Sequence, residues 1–210
     1  MVNAVLTAAP LSAAAQEVVI AALGDSLTQG YGLPPGDGFV PRLQAWLDER
    51  NAEVRLINAG VSGDTTAGGL SRVDWTLTDE VGGLIVALGG NDLLRGLDPA
   101  VSRANLDGIL SRADDAGVPV LLAGLDAPGN YGPEYEAAFD AMYADLAQTH
   151  GAILYPDFLG PLTEGRSRQE ALSTLMQGDA IHPNARGVEL VVAGIGPSVL
   201  DLAERVREGE

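Results

Sequence analysis

The 210-residue sequence contains no cysteine and no lysine. Without cysteine there are no thiol nucleophiles, no disulfides and no Cys-ligated metal sites. Without lysine there is no Schiff-base chemistry, no Ser-Lys dyad and no P-loop of the Lys-containing kind. All twelve basic residues are arginine, against 29 acidic ones, for a formal net charge of -17. Long-range attraction to nucleic acid or to an anionic lipid surface is therefore not expected. Only two histidines are present, His150 and His182, so chemistry that needs an imidazole has two candidates. No stretch has the apolar length of a membrane-spanning helix, and stable membrane insertion is not expected.

What is present suits a folded domain. A 21.7 kDa chain with 46% hydrophobic residues can bury a substantial core. Residues 1–16 are mostly small and apolar, running through Val5, Leu6 and Leu11 to Ala13-Ala14-Ala15 before Gln16, and read as a signal-peptide remnant or an N-terminal arm. A positive n-region is missing. This leaves residues 17–210 as a single domain, periplasmic or secreted if the export reading holds and cytoplasmic otherwise. The acidity is read as a device for solubility, of the kind a saline habitat calls for.

Short Val/Ile/Leu-rich runs alternate with longer helical patterns. The runs are 18–23, 54–57, 84–88, 118–123 and 152–155, each the length of a strand buried on both faces. Between them, Phe39, Leu43, Trp46 and Leu47 fall on one face of a helix over 39–50, as core residues. Further helices are expected near 70–77, 100–116, 135–149 and 187–206, with a possible short one over 167–176. This alternation predicts an α/β fold: a three-layer α/β/α sandwich around a five-stranded parallel sheet of flavodoxin-like topology. In such sheets ligands bind beyond the carboxyl ends of the strands.

Three of the runs end in small polar motifs: Gly24-Asp25-Ser26-Leu27, Asn58-Ala59-Gly60-Val61-Ser62-Gly63-Asp64 and Gly89-Gly90-Asn91-Asp92. Near the C-terminus, Asp179-Ala180-Ile181-His182-Pro183 precedes the last helical pattern. A serine hydroxyl is a weak nucleophile until a base takes its proton, and an imidazole oriented by a carboxylate is the common base. Asp179 stands three residues before His182, so a turn can bring its carboxylate to one ring nitrogen while the other faces Ser26. Pro183 suits the first turn of the helix that follows. Structural alternatives are an N-cap role for Ser26 and for Asp179. Thr28 stands where a Gly-x-Ser-x-Gly elbow needs glycine, so the ordinary α/β-hydrolase arrangement does not apply.

Together these four segments resemble the SGNH, or GDSL, hydrolase superfamily, whose blocks carry Ser, Gly, Asn and His. The stretches Gly24 to Tyr31, Ser62 to Thr65, Leu88 to Asp92 and Asn130-Tyr131-Gly132 are similar to the bacterial periplasmic thioesterase I, lysophospholipase and arylesterase group. The resemblance implies a Ser26-His182-Asp179 triad. It also implies an oxyanion hole formed by the backbone N–H of Ser26, the backbone N–H of Gly63 and the side-chain amide of Asn91. The expected activity is hydrolysis of short- to medium-chain acyl or aryl esters through an acyl-enzyme, with acyl thioesters or lysophospholipids as further substrates. The partner is then a small-molecule acyl ester, and neither cofactor nor metal is required. The net charge weighs against polyanionic coenzyme A thioesters, although Arg95, Arg166 and Arg168 could make a local exception. Other readings are a carbohydrate acetylesterase and a non-catalytic binding module on the same fold.

Three further expectations concern side chains outside that set. Asp25, Asp64 and Asp92 are assigned to turns and supporting hydrogen bonds rather than to a metal. His150, at the end of a helix just before Gly151, is read as structural. The stretch 159–177 is expected to rim or cover the acyl pocket.

Overall fold

The computed structural model describes residues 17–209; the expectation for residues 1–16 lies outside them. Five strands form one parallel sheet: β1 (Val18–Gly24), β2 (Val54–Gly60), β3 (Gly83–Ala87), β4 (Val120–Ala123) and β5 (Ile153–Tyr155). Their order is β2-β1-β3-β4-β5, the flavodoxin-like arrangement. Ile20, Ala21, Leu23, Leu84, Ile85, Val86 and Leu121 are fully buried, because the central strands are covered on both faces.

Nine α-helices are formed among the described residues. They are α1 (Ser26–Gln29), α2 (Phe39–Asp48), α3 (Thr66–Thr76), α4 (Gly90–Leu94), α5 (Pro99–Asp115), α6 (Pro133–His150), α7 (Gly160–Thr163), α8 (Arg168–Thr174) and α9 (Ala185–Gly209). Helix α2 packs on α9, while α3 packs on α5 and α5 on α6, giving the two outer layers. As expected, α2 buries Phe39, Leu43 and Leu47. Trp46 is only partly buried: its ring lies where a Cβ at Gly196 of α9 would sit, and the Arg50 guanidinium caps it at 3.7 Å.

The short helices α1, α4 and α7 have no hydrophobic period for a sequence reading to detect. They are single turns that begin just past the strand ends, and two of them carry candidate site residues. In this topology the strand order reverses between β1 and β3, and the carboxyl end of that gap is where a ligand crevice opens. Ser26 leaves β1 there and Asn91 leaves β3 there.

Candidate active site

At the end of β1 the chain turns directly into α1. The Asp25 side chain caps this helix by accepting the Leu27 N–H at 3.0 Å. Ser26 is therefore the first helical residue and not the cap. Its backbone N–H is one of those a helix start leaves without an intrahelical partner. A side chain at Gly24 would collide with Thr28, so glycine is what allows the strand to run straight into the helix.

The imidazole of His182 reaches Ser26 from a distant part of the chain, with Nε2 2.8 Å from Oγ. Its Nδ1 lies 2.6 Å from Asp179 Oδ2. The other carboxylate oxygen, Oδ1, accepts the backbone N–H groups of Ile181 and His182, each at 3.0 Å. The His182 hydrogen bond, helped by these two N–H donors, holds the Asp179 carboxyl down at about 2, against an ordinary 3.8. An ionised carboxylate only accepts, so the hydrogen sits on Nδ1 and the Nε2 lone pair faces the serine hydroxyl. The turn is tight enough to force Ala180 into the left-handed region, at φ 58°, an uncommon conformation for a residue with a Cβ.

The same loop is tied down from outside. The Gln177 backbone N–H donates to the His182 carbonyl at 2.7 Å, and the Ala180 N–H to the Gln177 carbonyl at 3.0 Å. Gln177 Nε2 donates to the carbonyls of Tyr31 (2.8 Å) and Pro183 (3.0 Å). The Tyr31 ring lies against the imidazole, 4.8 Å between centroids. Pro183 is not in the first turn of the last helix. It pairs with Met176 in an isolated bridge, and α9 starts at Ala185 with the Asn184 side chain accepting the Gly187 N–H at 3.1 Å. The side chain of Asn184, not a proline ring, organises that helix start.

The two remaining predicted residues come to the same place. Gly63 follows β2 at φ +85°, and its carbonyl accepts Arg95 Nη2 at 2.8 Å. Asn91, in the first turn of α4, donates from Nδ2 to the Asp64 carbonyl at 2.9 Å and to Asp25 Oδ2 at 3.2 Å. The turn into α4 needs Gly89, at φ 122°, where a Cβ would strike the Tyr143 hydroxyl. That hydroxyl donates to the Leu88 carbonyl at 3.0 Å. Ser26, Gly63, Asn91, Asp179 and His182 all line one cleft of about 810 Å3, within the usual size of a small-molecule site. Its apolar walls include Leu93, Leu125, Ala127, Leu159 and Met176.

The three acids near the strand ends have partners of their own. Asp64 pairs with Arg72 at 2.7 Å, and the same guanidinium donates to the carbonyls of Ala59 and Gly24. Asp92, fully buried, accepts the Thr66 N–H (2.8 Å), the Thr66 hydroxyl (2.6 Å) and the Ser102 hydroxyl (3.0 Å). Asp25 is buried as well, and burial pushes its carboxyl up to about 6 against the hydrogen bonds from Leu27 and Asn91. His150 is remote from this cleft. It closes α6 and lies between Asp114 (2.6 Å) and Asp107 (2.9 Å) of α5.

Leu159, Thr163, Arg168 and Met176 of the stretch 159–177 line the cleft. Of the arginines singled out earlier, Arg166 is turned onto the carbonyls of Pro161 and Glu164, Arg95 onto Gly63, and Arg168 faces the cleft. Sequence reasoning missed the supporting roles of Gln177, Arg72 and Ala180. No motif marks them, since each acts through contacts across long sequence separations or through a single backbone angle.

The model of the GDSL-like Lipase/Acylhydrolase family matches residues 22–190. The chain belongs to this family. Its GDSL relatives include the esterase TesA of Pseudomonas aeruginosa, 38% identical over 191 residues, which span 90% of each chain. The thioesterase 1/protease 1/lysophospholipase L1 of Escherichia coli K12 is 34% identical over 174 residues, 82% of this chain and 78% of that one. Among solved structures, that of AlinE4, an SGNH-hydrolase family esterase, is 43% identical and superposes with a TM-score of 0.73, covering 90% of this chain and 98% of its own. The five-stranded parallel sheet is thus the SGNH hydrolase fold, as its motifs imply.

Proposed function

We propose that this GDSL family member, a carboxylic ester hydrolase, cleaves short- to medium-chain acyl or aryl esters through a Ser26-His182-Asp179 triad. The observation that carries the reading is the hydrogen-bonded chain from Asp179 through His182 to Ser26 Oγ at the mouth of an apolar cleft.

In the first step Ser26 Oγ attacks the acyl carbon as its proton passes to His182 Nε2. The imidazolium then gives that proton to the leaving alcohol as the carbon–oxygen bond breaks. Water, deprotonated by His182, attacks the acyl-enzyme and releases the acid and the free serine. Asp179 stays ionised throughout and steadies the imidazolium; its strongly lowered pKa suits that part. The tetrahedral oxyanion is met by the N–H of Ser26, the N–H of Gly63 and the amide of Asn91, donors of a kind worth about 3–4 kcal/mol each in the transition state.

The apolar walls take the acyl chain or the aryl group. Acyl thioesters and lysophospholipids are candidate substrates by likeness to the Escherichia coli relative, whose name carries both activities. Steady-state kinetics on p-nitrophenyl esters of graded length, an acyl thioester and an acetylated sugar test the reading. It predicts that the neutral aryl esters turn over well and that Ser26→Ala and His182→Ala each lose roughly four orders of magnitude in kcat with the fold intact. Near-normal turnover by Ser26→Ala would sink it. Preference for the acetylated sugar would instead make the enzyme a carbohydrate acetylesterase.

A further inference from the structure

Asp25 is a buried carboxylate that the reaction outlined above does not use. Only 2% of its surface is exposed, and no arginine pairs with it among the described residues. The charged or titratable groups facing it are His182, Asp64 and Tyr143. Burial makes its ionised form costly enough to lift its pKa to about 6. As the cap of α1 it uses only Oδ1, on the Leu27 N–H. A serine, threonine or asparagine would cap that helix equally well without burying a charge. The carboxylate is therefore explained by its second oxygen, and Oδ2 accepts from Asn91 Nδ2.

Asn91 Nδ2 has two hydrogens, and both are engaged: one on the Asp64 carbonyl at 2.9 Å, the other on Asp25 Oδ2 at 3.2 Å. Two acceptors fix the carboxamide with its nitrogen, not its oxygen, toward Asp25 and Asp64. If Asn91 were flipped, its oxygen would confront the Asp25 carboxylate and the Asp64 carbonyl, and would present a lone pair where the oxyanion forms. The longer of the two bonds is the one an incoming oxyanion can take over with least loss. Asp25 and Asn91 both line the cleft beside Ser26.

We propose that Asp25 is a positioning residue for catalysis: it holds the Asn91 amide nitrogen toward the oxyanion site and yields that N–H to the oxyanion as the tetrahedral intermediate forms. The inference rests on the oxyanion role given to Asn91 above, and the experiment separates the two. In Asp25→Asn the side-chain oxygen keeps the α1 cap, while its NH2 meets the NH2 of Asn91, donor against donor. Asp25→Ser keeps a capping oxygen and removes the acceptor altogether. Kinetics on a neutral p-nitrophenyl ester are measured for each variant, for Asn91→Ala and for both double variants, with thermal melts to verify folding.

The expected result is a loss of kcat of roughly 10- to 100-fold for either Asp25 variant with KM changed by less than about three-fold. In the Asn91→Ala background the same substitutions then cost less than about two-fold, because the group that Asp25 positions is gone. Additive losses, or an unchanged kcat in both Asp25 variants, would overturn the proposal while leaving the oxyanion role of Asn91 standing. An unchanged kcat in Asn91→Ala would overturn that role, and this inference with it.

Discussion

Gln177 joins the two segments that carry Ser26 and His182: its side-chain nitrogen donates at once to the Tyr31 carbonyl, just past α1, and to the Pro183 carbonyl, next to His182. Its backbone N–H holds the His182 carbonyl as well. Replacing Gln177 by leucine keeps the backbone bond and the bulk but frees the two loops from each other. The expected outcome is a kcat lowered by roughly ten-fold or more, as small misplacements of a base are costly, with a melting temperature lowered by only a few degrees. Steady-state kinetics beside a thermal melt check both halves; an unaltered kcat would show that the loops are held by other contacts.

Ala180 offers a complementary probe, since its left-handed backbone is what lets Asp179 reach back to the ring of His182. Glycine adopts that angle without strain, so Ala180→Gly is expected to keep full activity, with stability changed by no more than about 1 kcal/mol. A β-branched residue resists it, and Ala180→Val is expected to lose both activity and stability, of order 1–3 kcal/mol. The pair is read by kcat and by denaturant midpoint.

The buried carboxyl of Asp25 makes a stability prediction independent of turnover. Its pKa is about 6 in the folded protein against an ordinary 3.8. Between those values the folded state holds more protons than the unfolded one, so stability falls as pH rises through the window, and the whole penalty is present above about 6. Asp25→Asn carries no such charge. Relative to the parent, the variant is therefore expected to gain in melting temperature between about pH 4 and pH 7. A difference that stays flat with pH would show that this carboxyl titrates normally.

His150 carries the opposite sign. Burial works against its charged form, but the hydrogen bonds it donates to Asp114 and Asp107 outweigh that and raise its pKa above the ordinary 6.5. This α5–α6 clamp thus contributes fully below about 6.5 and fades as pH rises through the elevated value. His150→Gln is expected to cost of order 1 kcal/mol at about pH 6, in the range of partly exposed ion pairs, and almost nothing at about pH 9. Activity should not change, since Gly117, Val118 and Pro119, beside His150, precede β4 and so lie at the sheet edge opposite the cleft. Denaturant melts at the two pH values, with kcat as control, test this.

Much of this architecture was legible in the chain because buried parallel strands write themselves as unbroken Val/Ile/Leu runs, and long amphipathic helices as a period of 3.6. The runs 18–23 and 84–88 needed only a residue's adjustment. The candidate site was legible for a different reason: Ser26, Gly63 and Asn91 stand in short motifs that follow three of those runs, Asp179 and His182 in one that precedes the last helix, and the family resemblance of these motifs gave Gly63 and Asn91 their expected roles; all five line one cleft. The single-turn helices were not, being too short to show a period. Nor was the reach of Arg72 to Asp64, Ala59 and Gly24, or that of Gln177 to Tyr31, since contacts across many residues leave no local pattern. Pro183 was misplaced because proline at a helix start is a strong prior, whereas here its backbone is drawn into the bridge with Met176.

The central claim, that Ser26 is the nucleophile activated by His182, is tested most directly by labelling with an aryl alkylphosphonate and locating the adduct by peptide mass spectrometry. The account predicts one phosphonyl group per chain, carried by the peptide containing Ser26, formed slowly or not at all in His182→Ala and absent in Ser26→Ala. Stoichiometric loss of activity with the label on any other residue would contradict it.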